Sequence, residues 1–221
     1  MNHDPAILCF PGWSYTQKID QWYDLDITCI NHLEQLQFIN NDEPDFKLPE
    51  NQWMLVTWSM GTWTALKLYN YFLKKNPPQC WIALSPFTDF CGGNAVSEKD
   101  LQHLIHAYKR KPEQTLKLFR KMHGGLELLS SEKHSPEDFS ILEKSLEMLQ
   151  NKYSDVPKID IPVLILYGLK DTLIQKKMVE SFKEHCSNFE YGEFENLNHA
   201  LFYEQPMDIK TIIYNFYNKY F

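Results

Sequence analysis

Residues 52–69 read QWMLVTWSMGTWTALKLY, and this stretch decides the fold. Its first part, Trp53–Trp58, is an unbroken apolar run, the pattern of a strand buried on both faces. From Gly61 onward, Ala65, Leu66, Tyr69, Phe72 and Leu73 recur at three- and four-residue spacing, the stripe of a helix packed on a sheet. Ser59 stands at the junction. A strand that turns through a serine directly into a helix lifts the hydroxyl above the sheet and aims the helix N-terminus at it. Such a turn tolerates only small residues two places on either side of the serine. Gly61 meets that demand, whereas Thr57 stands where glycine or alanine is usual. The tripeptide S-x-G alone is too frequent to mean anything; the flanking strand and helix give it meaning.

Similar apolar runs lie at Ala6–Phe10, Cys80–Leu84 and Pro162–Tyr167, with weaker ones at Asp26–Ile30 and Phe189–Phe194. Helical stretches of crossover length separate them, which predicts an α/β fold with a doubly wound, mostly parallel sheet of about six strands. Pro77 and Pro78 stop the helix that follows Ser59. Residues 95–151 have no strand pattern and carry amphipathic helices, with Leu101, Leu104, Ile105 and Tyr108 and then Phe139, Leu142, Leu146 and Leu149. The expected organisation is therefore a core of residues 1–94 and 152–221, interrupted by a helical lid at 95–151. Asn40–Glu50 and Asn151–Asp160 are polar, contain proline and read as surface connections.

A chain of 221 residues suits one such domain, and a formal net charge of −7 argues against a surface built for nucleic acid. The five cysteines are odd in number and include no C-x-x-C pair, so neither a disulfide framework nor a zinc cluster is expected. No apolar run approaches the roughly 20 residues of a membrane helix. The opening MNHDPAILCF has no basic stretch ahead of its short apolar run, unlike a secretory signal. These readings predict a cytoplasmic protein with no membrane or nucleic-acid partner, and a monomer by default.

A serine hydroxyl is a weak nucleophile at neutral pH and needs a base and a residue that orients the base. In LILYGLKDTLI, Asp171 follows an apolar strand and precedes a helix; in FENLNHALFYEQP, His199 occupies the next loop. The order serine, acid, histidine is that of the elbow-bearing α/β enzymes. A plain alternative for Asp171 is a helix N-cap. For His199 it is a loop or core histidine, one of eight in the chain, with His185 nearby. Asp155 and Asp160 precede their strand, which places them at the wrong end of the sheet. Oxyanion donors are expected from the backbone of Met60 and of Trp13, the latter in the turn CFPGWS, where Gly12 permits close approach. Trp13 as a mere core aromatic is the competing reading. Ser85-Pro86-Phe87, at the end of the neighbouring strand, is expected to wall the pocket.

FPGWS, Trp22, TWSMG, YGLKD and NHALFYEQP together resemble the biotin-pathway carboxylesterases that demethylate pimeloyl-acyl-carrier-protein methyl ester, the BioH and BioG types. The likeness covers nearly the whole chain. It departs at Pro11, where a histidine commonly precedes the Gly-Trp, and in lacking a counterpart to the first two strands of the longer members. The resemblance implies an α/β-hydrolase fold, a triad of Ser59, Asp171 and His199, oxyanion donors at Trp13 and Met60, and a helical lid over the acyl chain. No metal or cofactor is expected. Broad small-ester esterases and the related lyase of menaquinone synthesis share these motifs, so the substrate stays open. A non-catalytic hydrolase-like binding protein is disfavoured because all three triad positions are filled in order.

The lid carries its own signal. Lys109, Arg110, Lys111, Lys117, Arg120 and Lys121 face a single acid, Glu113, within residues 109–121 of an acidic protein. An acyl carrier protein is acidic, and a local basic patch would steer its approach. Leu116 and Phe119 then line the acyl tunnel while Arg120 faces the carrier, with Lys117 and Lys121 beside it. A solvated helix face and simple packing within the lid explain the same residues.

Overall fold

The computed structural model describes residues 6–15, 27–30, 35–36, 46–91, 96–123, 135–153 and 155–221. Trp22, Asp26 and residues 40–45 of the first polar connection lie outside them, as does Ser154 of the second.

Six parallel strands form one sheet among the described residues: β1 (Ala6–Phe10), β2 (Ile27–Cys29), β3 (Trp53–Trp58), β4 (Cys80–Leu84), β5 (Val163–Gly168) and β6 (Phe189–Phe194). Their order is β2-β1-β3-β4-β5-β6. The direction of winding therefore reverses between β1 and β3, and in open parallel sheets the crevice beyond the strand ends at such a reversal is where ligands bind.

Both faces of the sheet are covered over β1, β3, β4 and β5, which is why these strands read as apolar runs rather than alternations; the edge strand β6 is half-exposed. Leu8, Phe10, Leu55, Trp81, Ala83 and Ile165 point to one core. It is shared with α1 (Met60–Lys75), α2 (Glu98–Arg110), α3 (Pro112–Met122), α4 (Pro136–Met148) and α5 (Lys176–Lys183). Their neighbours Ile7, Cys9, Val56, Ile82 and Leu166 point to the other, closed by α6 (Leu201–Glu204) and α7 (Pro206–Tyr217). Helices α2, α3 and α4 lie between β4 and β5 in the chain. No described helix is long and apolar enough to cross a membrane.

Three expectations shift. The strand expected to reach Ile30 ends at Cys29. The strand expected at Pro162–Tyr167 runs one residue later, because Pro162 has no N–H for the ladder and contributes only its carbonyl, to Trp81. Leu73, assigned to the buried stripe of α1, is 44% exposed; the stripe ends at Phe72.

Candidate active site

The elbow forms where the sequence places it. Ser59 follows β3 directly, with φ 54° and ψ −119°, and its N–H donates to the Leu84 carbonyl at 2.9 Å. Gly61 is obligatory, since a Cβ there would lie 1.9 Å from the Phe10 carbonyl oxygen. This contact seats α1 on the end of β1. Thr57 is accommodated because its hydroxyl is fully paired inside the protein: it sits 2.9 Å from the Thr62 hydroxyl and accepts from the Trp81 indole at 2.8 Å.

Three non-glycine residues have positive φ among the described residues: Ser14 (74°), Ser59 (54°) and Ser85 (43°). All three lie beyond the C-terminal ends of adjacent strands, β1, β3 and β4. Backbone of this kind costs about 1–3 kcal/mol per residue and gathers where a site requires it.

The loops after β5 and β6 bring the acid and base together. A Cβ at Gly168 would lie 2.4 Å from the Leu197 carbonyl oxygen, so glycine is what lets the two loops touch. Lys170 N–H then donates to the Leu197 carbonyl at 2.9 Å. Across this junction Asp171 Oδ2 lies 2.7 Å from His199 Nδ1, both side chains almost wholly buried. The other carboxylate oxygen accepts from Leu173 N–H at 2.9 Å and Ile174 N–H at 2.8 Å. The capping alternative is thus half right: one oxygen of Asp171 closes a local turn and the other holds the imidazole, while α5 begins only at Lys176. Burial opposes a charge on Asp171, but the nearby imidazole and the hydrogen bonds from His199, Ile174 and Leu173 outweigh it and hold its carboxyl below the usual range. An ionised Asp171 keeps the proton on Nδ1 and leaves Nε2 as the basic nitrogen.

Ser59 and His199 line one cavity, with Trp13, Met60, Phe87, Phe90, Leu104, Phe119, Leu146, Leu149 and Leu173 as its other walls. Apart from the serine and the histidine the lining is apolar. Of the expected Ser85-Pro86-Phe87 wall, only Phe87 contributes. Gly12 brings the backbone of the turn after β1 against the elbow, for a Cβ on it would lie 3.3 Å from that of Ser59. Trp13 serves the core as well, its indole donating to the Leu142 carbonyl at 2.9 Å and its ring set edge-on to Phe119.

The helical segment corrects several expectations. Arg120 does not face outward: it is fully buried, with its guanidinium on Ser14 and over the ring of Tyr15. Phe119 reaches the cavity, but Leu116 packs in the core behind it. Lys109 is neutralised by Glu147 at 2.6 Å and Glu143 at 3.4 Å, acids that come from α4 and not from its own helix. Lys117 and Lys121 are exposed, as are Arg110 and Lys111. Asp160 is tied to Ser187 and Lys158 at the surface, away from His199.

Sequence reasoning missed His123. It is 6% exposed, its ring lies 6.1 Å from that of His199, and its carbonyl accepts from Ala200 N–H at 3.1 Å. Burial first, and then the charge of His199, push it down to about 4, so it is neutral at physiological pH. The clue was available: His123 follows Phe119 by four residues and Arg120 by three, and it caps the helix that carries them in line with their inner face.

A scan against protein-family models and a search of curated proteins each found no match. Solved structures do match. An esterase from Exiguobacterium antarcticum superposes with a TM-score of 0.76 at 16% identity, over 98% of this chain and 92% of that one. A lipase-esterase related protein from Clostridium acetobutylicum gives 0.71 at 20% identity, over 96% and 95%. BioG from Haemophilus influenzae gives 0.64 at 18% identity, over 91% of each chain. At these identities the likeness is one of architecture, and the chain has the α/β-hydrolase fold.

Proposed function

We propose that the protein is a serine carboxylesterase with Ser59 as nucleophile, His199 as base and Asp171 as the residue that orients the base. The observation that carries this reading is the buried 2.7 Å contact between Asp171 and His199, in a cavity whose only other polar wall is the strained Ser59. Ser59 attacks the ester carbonyl while His199 Nε2 takes its proton and hands it to the departing alcohol; water then releases the acid by the same route. The N–H groups of Met60, at the start of α1, and Trp13, beside Gly12, are the donors for the oxyanion. The apolar walls suit an ester with an uncharged group at the reacting end.

The finer reading is hydrolysis of pimeloyl-carrier methyl ester. It is supported by the motif resemblance, by the likeness to BioG, and by Arg110, Lys111, Lys117 and Lys121 on the exposed surface of α2 and α3. In this reading the segment between β4 and β5 acts as a lid and an acyl carrier protein is the partner. A broad small-ester esterase is the second reading, favoured by the inward turn of Arg120 and the pairing of Lys109, which leave fewer free cations for a carrier.

Hydrolysis of pimeloyl-carrier methyl ester beside p-nitrophenyl butyrate separates the two, using wild type and the double variant Lys117→Ala, Lys121→Ala. A carrier role predicts a fall of about tenfold in kcat/KM for the carrier ester alone, most marked at low salt. Equal cleavage of only the short ester by both proteins leaves the esterase and removes the carrier.

A further inference from the structure

The mechanism above uses nothing of Arg120, yet its guanidinium is among the largest fully buried side chains in the protein. Burying a charge is costly unless its hydrogen bonds serve a definite purpose. Among the described residues, two of them meet on Ser14. Nε donates to the Ser14 hydroxyl at 3.3 Å, Nη2 donates to the Ser14 carbonyl, and the guanidinium carbon lies 5.0 Å from the centre of the Tyr15 ring.

Ser14 is the third residue of a turn that closes through Tyr15 N–H donating to the Gly12 carbonyl at 3.2 Å, and its φ is 74°. A positive φ at that position favours glycine, so a serine there must be held. What the turn fixes is the plane of the Gly12–Trp13 peptide. That bond is trans, so with the Gly12 carbonyl turned to Tyr15 the Trp13 N–H points the opposite way, out of the turn. The same stretch of backbone lies against Ser59.

We propose that Arg120 is a positioning residue for the oxyanion hole: by clamping Ser14 from helix α3, it holds the turn after β1 in the conformation that aims the Trp13 N–H at the substrate oxygen. The proposal rests on the esterase reading of Ser59 and Trp13. It assigns to Arg120 an inward role, distinct from any contact with a carrier. The clamp acts on the transition state, where the oxygen carries charge, and hardly on ground-state binding.

Arg120→Met and Arg120→Lys test it with p-nitrophenyl butyrate as substrate and an alkyl trifluoromethyl ketone, whose tetrahedral adduct places an oxyanion on the same donors. Arg120→Met is expected to lower kcat on the order of 10²-fold with KM nearly constant, and to weaken the ketone by a similar factor. Ser14→Gly added to Arg120→Met then recovers most of that loss, since glycine adopts φ 74° unaided. A folded Arg120→Met protein with wild-type kcat overturns the clamp, and so does a loss that Ser14→Gly leaves untouched. If Arg120→Met does not fold, Arg120→Lys decides: a lower kcat at constant KM supports the clamp, and wild-type kcat overturns it. Ser59→Ala in the same assay separates the two levels. If wild type is no faster than Ser59→Ala, the esterase reading falls and the clamp with it; if wild type is active and the Arg120 variants match it, only the clamp falls.

Discussion

The turns after β3 and β4 begin alike and end differently. Ser59 and Ser85 each follow their strand directly, each has a positive φ, and each donates its N–H to a carbonyl of the next strand, Leu84 for the first and Leu166 for the second. After Ser59 the chain enters α1 at once, with the hydroxyl in a cavity beside His199. After Ser85 comes Pro86, and the Ser85 hydroxyl is buried with no hydrogen-bond partner among the described residues. Strained backbone is therefore shared by the proposed nucleophile and by a serine outside the cavity. What separates them is the helix that starts at Met60, the imidazole, and the open space.

The comparison breaks or sharpens in three ways. Ser59→Ala is expected to cost turnover on the order of 10⁴-fold or more, as the loss of a nucleophile does in other triads. Hydrolysis that persists in the variant would move the nucleophile elsewhere.

The second effect concerns His123, the imidazole packed 6.1 Å from that of His199. Its folded value of about 4 lies below the unfolded 6.5, so the unfolded chain binds the extra proton first as pH falls. The stability conferred by neutral His123 is complete above about 6.5 and drains away between 6.5 and 4, by about 3 kcal/mol in all. His199 and Asp171 are the charged groups that bear on it, the first opposing its protonation and the second favouring it. Urea unfolding of wild type and His123→Gln at pH 7 and 4.5 reads this directly. The acid loss should shrink in the variant, and an unchanged loss would assign it to other groups.

Ser85→Ala is the smallest effect, with kcat within about threefold of wild type, because its hydroxyl has no hydrogen-bond partner among the described residues and lies outside the cavity. A large fall in kcat with the fold intact would mean that the two turns are more alike than their surroundings indicate.

The sheet and the meeting of Ser59, Asp171 and His199 were legible because each rests on local pattern. Ala6–Phe10, Trp53–Trp58 and Cys80–Leu84 are strands at the expected bounds, since runs buried on both faces announce themselves without reference to partners; Phe189–Phe194 also holds its bounds, though it is a half-exposed edge strand with a weaker pattern. Ser59, Asp171 and His199 lie in the connections that follow β3, β5 and β6, so their convergence followed from the parallel order. Long-range pairing was not legible. Lys109 counts as a free cation until α4 brings Glu143 and Glu147 beside it. Arg120 shares a helical face with Leu116, so its spacing already pointed inward, but an arginine is so seldom fully buried that its charge took precedence over its position.

The ties from the helical segment to the turn at residues 12–15 bear on how substrate enters and product leaves. Helix α4 is bound to that turn through the Trp13 indole and the Leu142 carbonyl, and α3 through Arg120 and Ser14. Neither helix can swing aside without pulling on the Trp13–Ser14 backbone. On the esterase reading proposed above, an opening at either helix would therefore disturb the turn that offers the Trp13 N–H, and chemistry would proceed only with both ties in place.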